Sequence, residues 1–101
     1  MALPDRPTAI FAVNDNTAIG AMSALFHLGL RVPEDISLVG YNDIPIVSRL
    51  PTPLTTVRVA FDQIATLALD LLLARDSNRL SGLQMVAPTL IPRKSTAPRR
   101  P

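Results

Sequence analysis

Cysteine is absent from this chain of 101 residues, and histidine occurs once, as His27. The lack of cysteine excludes a disulfide framework and a thiolate metal site. A single histidine gives no basis for a histidine-based zinc cluster. We therefore expect no metal and no cofactor, in a composition compatible with a reducing cytoplasm.

Charged residues and long apolar runs are also scarce. Charged residues make up 18% of the chain, against about 25% in typical soluble domains, while 48% of its residues are hydrophobic. The most apolar stretch, residues 64–74, is short and is broken by Asp70, and residues 1–6 carry no signal-peptide pattern. We expect a soluble chain without a membrane partner, with an unusual share of its surface facing another molecule.

Basic residues are concentrated at the end of the chain, where four of the ten occupy the last nine positions. Such a tail could touch nucleic acid, but its prolines and its lack of aromatic residues favour a disordered, solvated end over residues 97–101. The remaining residues, 1–96, are enough for one small domain at most.

The first half of the chain predicts a strand, a helix and a second strand. The continuous apolar run at residues 9–13 is typical of a central strand covered on both faces, and residues 15–28 have helical spacing. Residues 36–41 form the second predicted strand, in which Gly40 indicates a close approach of backbone or ligand. Such a unit places its strands in parallel, so that their carboxyl ends share the edge where open α/β sheets bind ligands.

The second half continues the α/β pattern. Residues 54–59 predict a strand and residues 61–75 a helix, whose apolar stripe is too wide for a single core face. Residues 83–91 predict a last strand, which Pro88 and Pro92 confine to an edge or an irregular path.

Amides and carboxylates follow both strands of the first half. Amide side chains suit vicinal hydroxyls, and aromatic faces suit the C–H face of a sugar, so a polyhydroxylated small molecule is the natural ligand. Capping and turn formation are the alternative roles for Asn14 and Asn42. The candidate residues are Asn14, Asp15, Asn16, Tyr41, Asn42, Asp43 and Phe61.

Catalysis is poorly supported. His27 lies in a predicted helix, far along the chain from any elbow-like serine. Asp15 and Asp43 could form a carboxylate pair for acid/base work or for a hard cation, but helix capping and turn formation explain both. No glycine-rich phosphate loop occurs, so binding without chemistry is the favoured class, and we expect no enzyme.

Four segments of the chain, in this order, resemble the lactose-repressor (LacI) family. They are AIFAVNDNTAIGA at 9–21, GLRVPEDISLVGYND at 29–43, PLTTV at 53–57 and LIPRKST at 90–96. The resemblance covers nearly the whole chain, and together the segments are specific.

This resemblance implies a dimeric, cytoplasmic bacterial transcription regulator, for example a repressor. Its sensor has the periplasmic-binding-protein-like fold, with two lobes that close on a small effector. The chain resembles much of the second lobe, as an incomplete three-layer α/β lobe with a parallel sheet, and we expect a C-terminal fragment or the product of a truncated gene. Operator DNA would be read by an N-terminal helix-turn-helix outside these residues. The alternative is a fragment of a sugar-binding protein of a transport system, which usually lacks the sequence Val-Pro-Glu-Asp-Ile-Ser.

The resemblance also implies roles for individual residues. Asn42 stands where the family usually has an acidic ligand contact, so a neutral sugar is favoured over a protonatable base. The implied ligand contacts are Asn14, Asn16, Asn42 and Phe61, with Asp15, Tyr41 and Asp43 behind them. The implied dimer interface contains Ile19, Met22 and Leu50, although core packing would equally explain Ile19.

Overall fold

The computed structural model describes residues 4–73 and 85–99, and it has the predicted order of helices and strands. The regular elements are β1 (Ala9–Phe11), α1 (Asp15–His27), β2 (Ser37–Val39), a 3₁₀ helix (Pro45–Arg49), β3 (Thr56–Arg58), α2 (Phe61–Leu73) and β4 (Thr89–Ile91). The strands are shorter than the sequence predicts. The predicted end of the second helix, at residue 75, and the predicted start of the last strand, at residue 83, lie outside the described residues.

The first three strands run in parallel. β1 pairs with β2, with Ala9 opposite Ser37 and Phe11 opposite Val39. Two isolated parallel bridges, one of them between Val39 and Thr55, continue the sheet towards β3. β4 pairs with β3 in the antiparallel direction. The incomplete parallel α/β lobe predicted from the sequence is therefore confirmed, with an antiparallel strand beside β3.

The predicted central position of β1 is wrong for the part of the chain that the structure describes. There β1 pairs with β2 alone, and Phe11 and Val13 are 68% and 76% exposed. The apolar run indicated a strand covered on both faces. Residues 4–73 and 85–99 do not supply that cover.

Helix α1 begins and ends on sequence signals. The extended backbone of Asn14 lets its side-chain oxygen accept a hydrogen bond from the Thr17 amide, at 2.8 Å, as N-caps do. Gly29, with φ of 75°, follows the end of the helix, in the left-handed conformation that favours glycine. The helix packs on the core through buried residues, and the core cluster consists of Ala12, Ala18, Leu38, Val47 and Leu54.

Helix α2 has no buried residue. Its apolar side chains extend around the helix, and Leu69 and Leu72 are 55% and 78% exposed. The wide apolar stripe predicted for this helix is therefore present, and the described residues leave it in contact with solvent.

A segment near the end of the chain, residues 93–97, fills the gap between β2 and the residues that lead into β3. Ser95 is fully buried, and its hydroxyl donates to the Leu38 carbonyl and accepts from the Thr55 amide, at 2.5 and 2.8 Å. The Ala97 amide donates to the Ser37 hydroxyl, at 3.0 Å. The disordered tail expected over residues 97–101 stays a prediction.

Candidate functional site

The carboxyl ends of β1, β2 and β3 meet at one edge of the sheet. The Asp15 amide, at the start of α1, donates to the Tyr41 carbonyl at 3.0 Å, and the Asn42 amide donates to the Val57 carbonyl at 2.8 Å. These bonds place Asn14 and Asn42 at the ends of adjacent strands. Parallel strands followed by polar residues are expected to give this arrangement.

Asn14 has a structural role as well as its position at the edge. It is half-buried, and only its Oδ1 atom is needed to cap α1. An asparagine amide carries two N–H groups besides that oxygen. The capping role that the sequence left as an alternative is therefore real, and it does not use the donors that a ligand hydroxyl would need.

Asn16 and Phe61 follow strand ends along the chain. Asn16 is exposed in the first turn of α1. Phe61 is the first residue of α2, is 55% exposed, and follows the end of β3 by three residues. Its amide donates to the Val59 carbonyl at 2.9 Å, so the chain turns sharply before the helix.

The turn after β2 has an unusual backbone. Asn42 and Asp43 have φ values of 117° and 61°. Residues other than glycine rarely adopt positive φ, and such strain persists only where the surroundings hold it in place. Tyr41, which precedes the turn, is half-buried.

Asp15 does not cap the helix, because Asn14 does. Its side chain is fully buried, where Oδ1 accepts a hydrogen bond from the Thr56 hydroxyl at 2.6 Å and Oδ2 accepts one from the Ile44 amide at 2.8 Å. Gly40 makes room for this carboxyl group: a Cβ atom there would collide with Asp15 Oδ1 and would lie 2.8 Å from Leu54 Cδ2. The sequence predicted a close approach at Gly40 by backbone or ligand, and the structure corrects the kind of group, because the nearest atom belongs to the side chain of Asp15.

Asp43 forms two ion pairs. Arg58 Nε donates to Oδ2 and Arg93 Nη2 donates to Oδ1, both at 2.8 Å, and the Asp43 side chain is only 8% exposed. Burial raises the pKa of Asp43, but hydrogen bonds and charge from the two arginines outweigh burial and hold this pKa below its ordinary value. Arg93 also donates to the Leu54 carbonyl at 2.9 Å.

The two carboxyl groups are therefore committed to the scaffold. Both oxygens of Asp15 and both oxygens of Asp43 accept hydrogen bonds from protein groups. A general acid or base must be within reach of a substrate proton, and groups engaged in this way are poorly placed for that role.

The sequence did not reveal the partners of these carboxyl groups. Thr56, Arg58 and Arg93 lie 41, 15 and 50 residues from the aspartates they bind. A threonine in a β-rich segment is explained by strand propensity, and an arginine near the end of a chain is explained by solvation. Only the sheet arrangement, which brings these distant segments together, indicates the contacts.

An apolar groove of about 560 Å³ runs beside α1. Ile19 and Met22 line it, and Leu50 is half-buried next to Pro51, which also lines it. Ile19, Met22 and Leu50 all pack against the core cluster as well. These residues can therefore pack on the core with one side and still be available to an interface with the other. The groove is lined by Ile19, Met22, Ser23, Phe26, Leu30, Arg31, Val32, Glu34, Pro51 and Thr52.

Comparison with known proteins identifies the family. The sequence pattern of the periplasmic binding protein-like domain matches residues 1–96. The lactose operon repressor of Rhizobium radiobacter is 43% identical over 89 residues, which are 88% of this chain and 79% of that protein. The ribose operon repressor of Escherichia coli K12 is 43% identical over 72 residues, which are 71% of this chain and 22% of that protein. The chain belongs to the periplasmic binding protein-like domain family, in the branch of the LacI-family transcriptional regulators.

Solved structures agree with the sequence comparison. The lac repressor dimer bound to operator and the anti-inducer ONPF has a TM-score of 0.81 at 40% identity, covering 89% of this chain and 32% of that one. A LacI-family regulator from Lactobacillus casei with bound glucose has a TM-score of 0.75 at 31% identity, covering 90% of this chain and 33% of that one. The chain spans a fifth to a third of the length of most of these relatives.

The resemblance to the LacI family is therefore confirmed. These relatives are repressors or LacI-family regulators, which favours a regulator over a transport protein. Among residues 4–73 and 85–99, neither helix is long and apolar enough to cross a membrane.

Proposed function

We propose that residues 1–96 form one wall of the effector pocket and part of the dimer surface of a LacI-family regulator. The observation that carries this proposal is the position of Asn14 and Asn42 at the ends of adjacent strands, linked by the bond from the Asp15 amide to the Tyr41 carbonyl. Asn16 in α1 and Phe61 at the start of α2 complete the proposed wall.

The proposed effector is a neutral, polyhydroxylated sugar. Asn14 and Asn42 offer amide donors and acceptors, which suit hydroxyl groups. The aspartates beside them are engaged by Thr56, by the Ile44 amide and by two arginines. A ligand that needs a free carboxylate partner is therefore disfavoured. The bound glucose of the Lactobacillus casei relative supports this ligand class.

One wall of a pocket binds poorly by itself. We expect calorimetry with the 101-residue chain and a panel of neutral sugars to show weak binding or none. Dissociation constants of about 1 mM or tighter, equivalent to about 4 kcal/mol of binding free energy, would contradict this expectation.

A chimaera tests the wall itself. Residues 9–96 would replace the matching segment of the Lactobacillus casei regulator, and the same sugar panel would be titrated by calorimetry. We expect binding of at least one neutral sugar, weakened about tenfold or more by Asn42→Ala, because a hydrogen-bonded ligand contact is lost. The matched control is Ser37→Ala, because Ser37 is the first residue of β2 and so lies at its other end, outside the groove beside α1. Equal effects of both variants would contradict the proposed wall.

The proposed partner is a second copy of the chain, docked on the groove beside α1. This groove is apolar at Ile19 and Met22, and relatives such as the lac repressor are dimers in their solved structures. Sedimentation across a concentration series should show a dimer, and Met22→Glu should shift it to monomer. Leu72→Glu, at a 78% exposed position of α2 that does not line the groove, is the control and should leave the dimer intact. A monomeric mass for the unaltered chain at every concentration would refute the dimer.

Regulation would then follow the logic of a population shift. Effector bound between two lobes favours one closure angle, and the angle sets the spacing of two DNA-reading heads. We propose that operator DNA is bound by a helix-turn-helix outside these 101 residues, and that the protein acts in the cytoplasm, without enzymatic activity.

A further inference from the structure

The turn at Asn42 and Asp43 is where the structure stores backbone strain. Two consecutive residues other than glycine have left-handed φ values, 117° and 61°. Conformations of this kind cost free energy and persist only where surrounding contacts enforce them. Asn42 is also one of the two amides at the proposed ligand edge, so the contacts that enforce its backbone also set the direction of its side chain.

Asp15 contacts this turn on both sides. Its amide donates to the carbonyl of Tyr41, the residue before the turn, at 3.0 Å. Its Oδ2 atom accepts from the amide of Ile44, the residue after the turn, at 2.8 Å. A single residue therefore fixes the entry and the exit of the strained segment.

The carboxyl group of Asp15 is itself held by β3. Oδ1 accepts from the Thr56 hydroxyl at 2.6 Å, and the side chain is fully buried. A buried carboxyl group with both oxygens satisfied has little freedom to rotate. The bond to Ile44 is consequently aligned by a residue that lies on another strand.

The remaining contacts of the turn run towards β3 and the end of the chain. Asn42 donates to the Val57 carbonyl, and Asp43 pairs with Arg58 and Arg93. Asp15 instead joins the turn to the start of α1, directly after Asn14. Among the described contacts, those of Asp15 connect the two amide-bearing strand ends.

We propose that Asp15 is a positioning residue that holds the Tyr41–Ile44 turn in its left-handed conformation and thereby fixes Asn42 relative to Asn14. We call this set of Asp15 contacts the clamp, and its role in holding the turn rests on the geometry of the chain alone. The further consequence, that Asp15 sets the orientation of Asn42 towards a ligand, rests on the proposed effector site.

Nuclear magnetic resonance on the labelled 101-residue chain tests the clamp without a ligand. The readouts are the amide hydrogen-exchange rates of Ile44 and of Leu38, whose amide donates to the Ser95 carbonyl at 2.8 Å, and the Cα and Cβ shifts of Asn42. In Asp15→Ala we expect exchange at Ile44 to accelerate about tenfold more than at Leu38, because the Ile44 amide loses its hydrogen-bond acceptor. The Asn42 shifts should move towards ordinary extended values.

A threonine pair provides a milder variant and its control. Thr56→Val removes the hydroxyl that holds Asp15 Oδ1, and exchange at Ile44 should accelerate about threefold more than at Leu38. Thr55→Val is equally buried and loses bonds to Arg93 and Thr96 instead, so it should leave this ratio and the Asn42 shifts unchanged. If Asp15→Ala does not fold, this pair of variants tests whether Asp15 holds the turn.

Equal acceleration at Ile44 and Leu38, with unchanged Asn42 shifts, would mean that Asp15 only stabilises the fold, and it would overturn the proposal. The same conclusion would follow if Thr55→Val and Thr56→Val behaved alike. Neither result depends on sugar binding. A failure of the clamp is therefore distinguishable from a failure of the proposed effector site.

Discussion

The ion pair between Arg93 and Asp43 should contribute far more to stability than the more exposed pair between Arg31 and Asp35. Arg93 and Asp43 are 15% and 8% exposed in their side chains, whereas the Arg31 side chain is 64% exposed. Removing one partner of a buried pair leaves the other charge desolvated, while exposed pairs are screened by solvent. Arg93→Met and Arg31→Met therefore form a matched comparison of the same chemistry in two environments.

The size of the effect follows from the contacts that are lost. Arg93→Met removes the 2.8 Å bond to Asp43 and the 2.9 Å bond to the Leu54 carbonyl, but Arg58 remains paired with Asp43. Breaking a buried pair usually costs about 3–5 kcal/mol. Because Arg93 and Asp43 are only partly buried and Arg58 still compensates part of the charge, we expect a smaller loss, of about 2 kcal/mol, in the free energy of unfolding at pH 7.

The pH dependence gives a second, independent check. The pKa of Asp43 in the folded chain lies below its ordinary value of 3.8, since the two arginines outweigh burial. A lowered carboxyl pKa adds stability that is complete above pH 3.8 and is lost as the pH falls through the folded-state pKa. The difference between the unaltered chain and Arg93→Met should therefore shrink in acid, down to the part that comes from the Leu54 bond.

Urea denaturation followed by circular dichroism, at pH 7 and in steps down to about pH 3, would measure these free energies. Arg31→Met should shift the midpoint only slightly. Equal losses for the two variants, or a loss for Arg93→Met that stays constant into acid, would refute the assignment of Asp43 and Arg93 as a partly buried, stabilising ion pair.

Three further predictions concern single positions. Gly40→Ala should destabilise the fold by about 1–3 kcal/mol, because its Cβ atom would collide with the Asp15 carboxyl group. Gly20→Ala has open space around it and should instead stabilise α1 by about 0.5–1 kcal/mol. Urea denaturation of the two variants would measure both changes in the free energy of unfolding. Asn14→Ala should cost about 1 kcal/mol by removing the cap on Thr17, and a midpoint equal to that of the unaltered chain would contradict the cap. Asn14→Asp should keep that stability but lose the amide donors, so in the chimaera it should abolish sugar binding; retained binding would exclude Asn14 as a donor to the ligand.

The order of elements and the shared strand edge could be predicted because local signals define them. The apolar run before Asn14, the cap itself and Gly29 each act over a few residues, and the structure has a helix between the two strands at that place. The position of β1 in the sheet could not be predicted correctly. An apolar pattern shows that a strand must pack against other residues, but it does not show which residues these are. The same reasoning applies to α2, whose wide apolar stripe is visible in the sequence and whose covering partner is not.

The roles of the polar side chains at the sheet edge depend on long-range contacts, so the sequence predicted them only in part. The sequence presents Asn14 with Asp15, and Asn42 with Asp43, as equivalent amide and acid pairs. In the structure the pairs divide their roles, because each acid is bound by distant donors while each amide stays half-buried at the edge. Spacing along the chain cannot distinguish these roles, since Thr56 and Arg93 are far away in sequence.

This division of roles has a consequence for how the site would respond to its surroundings. The two aspartates hold the shape of the edge. Asp15 accepts a hydrogen bond from Ile44 at the end of the strained turn, and Asp43, within the turn, forms ion pairs with Arg58 and Arg93. The amides, which would meet the ligand, do not titrate. Because the pKa of Asp43 is held below 3.8, its ion pairs stay intact throughout the neutral range. The part of the edge that Asp43 ties to β3 and to the end of the chain should therefore keep its shape while the pH varies around neutrality.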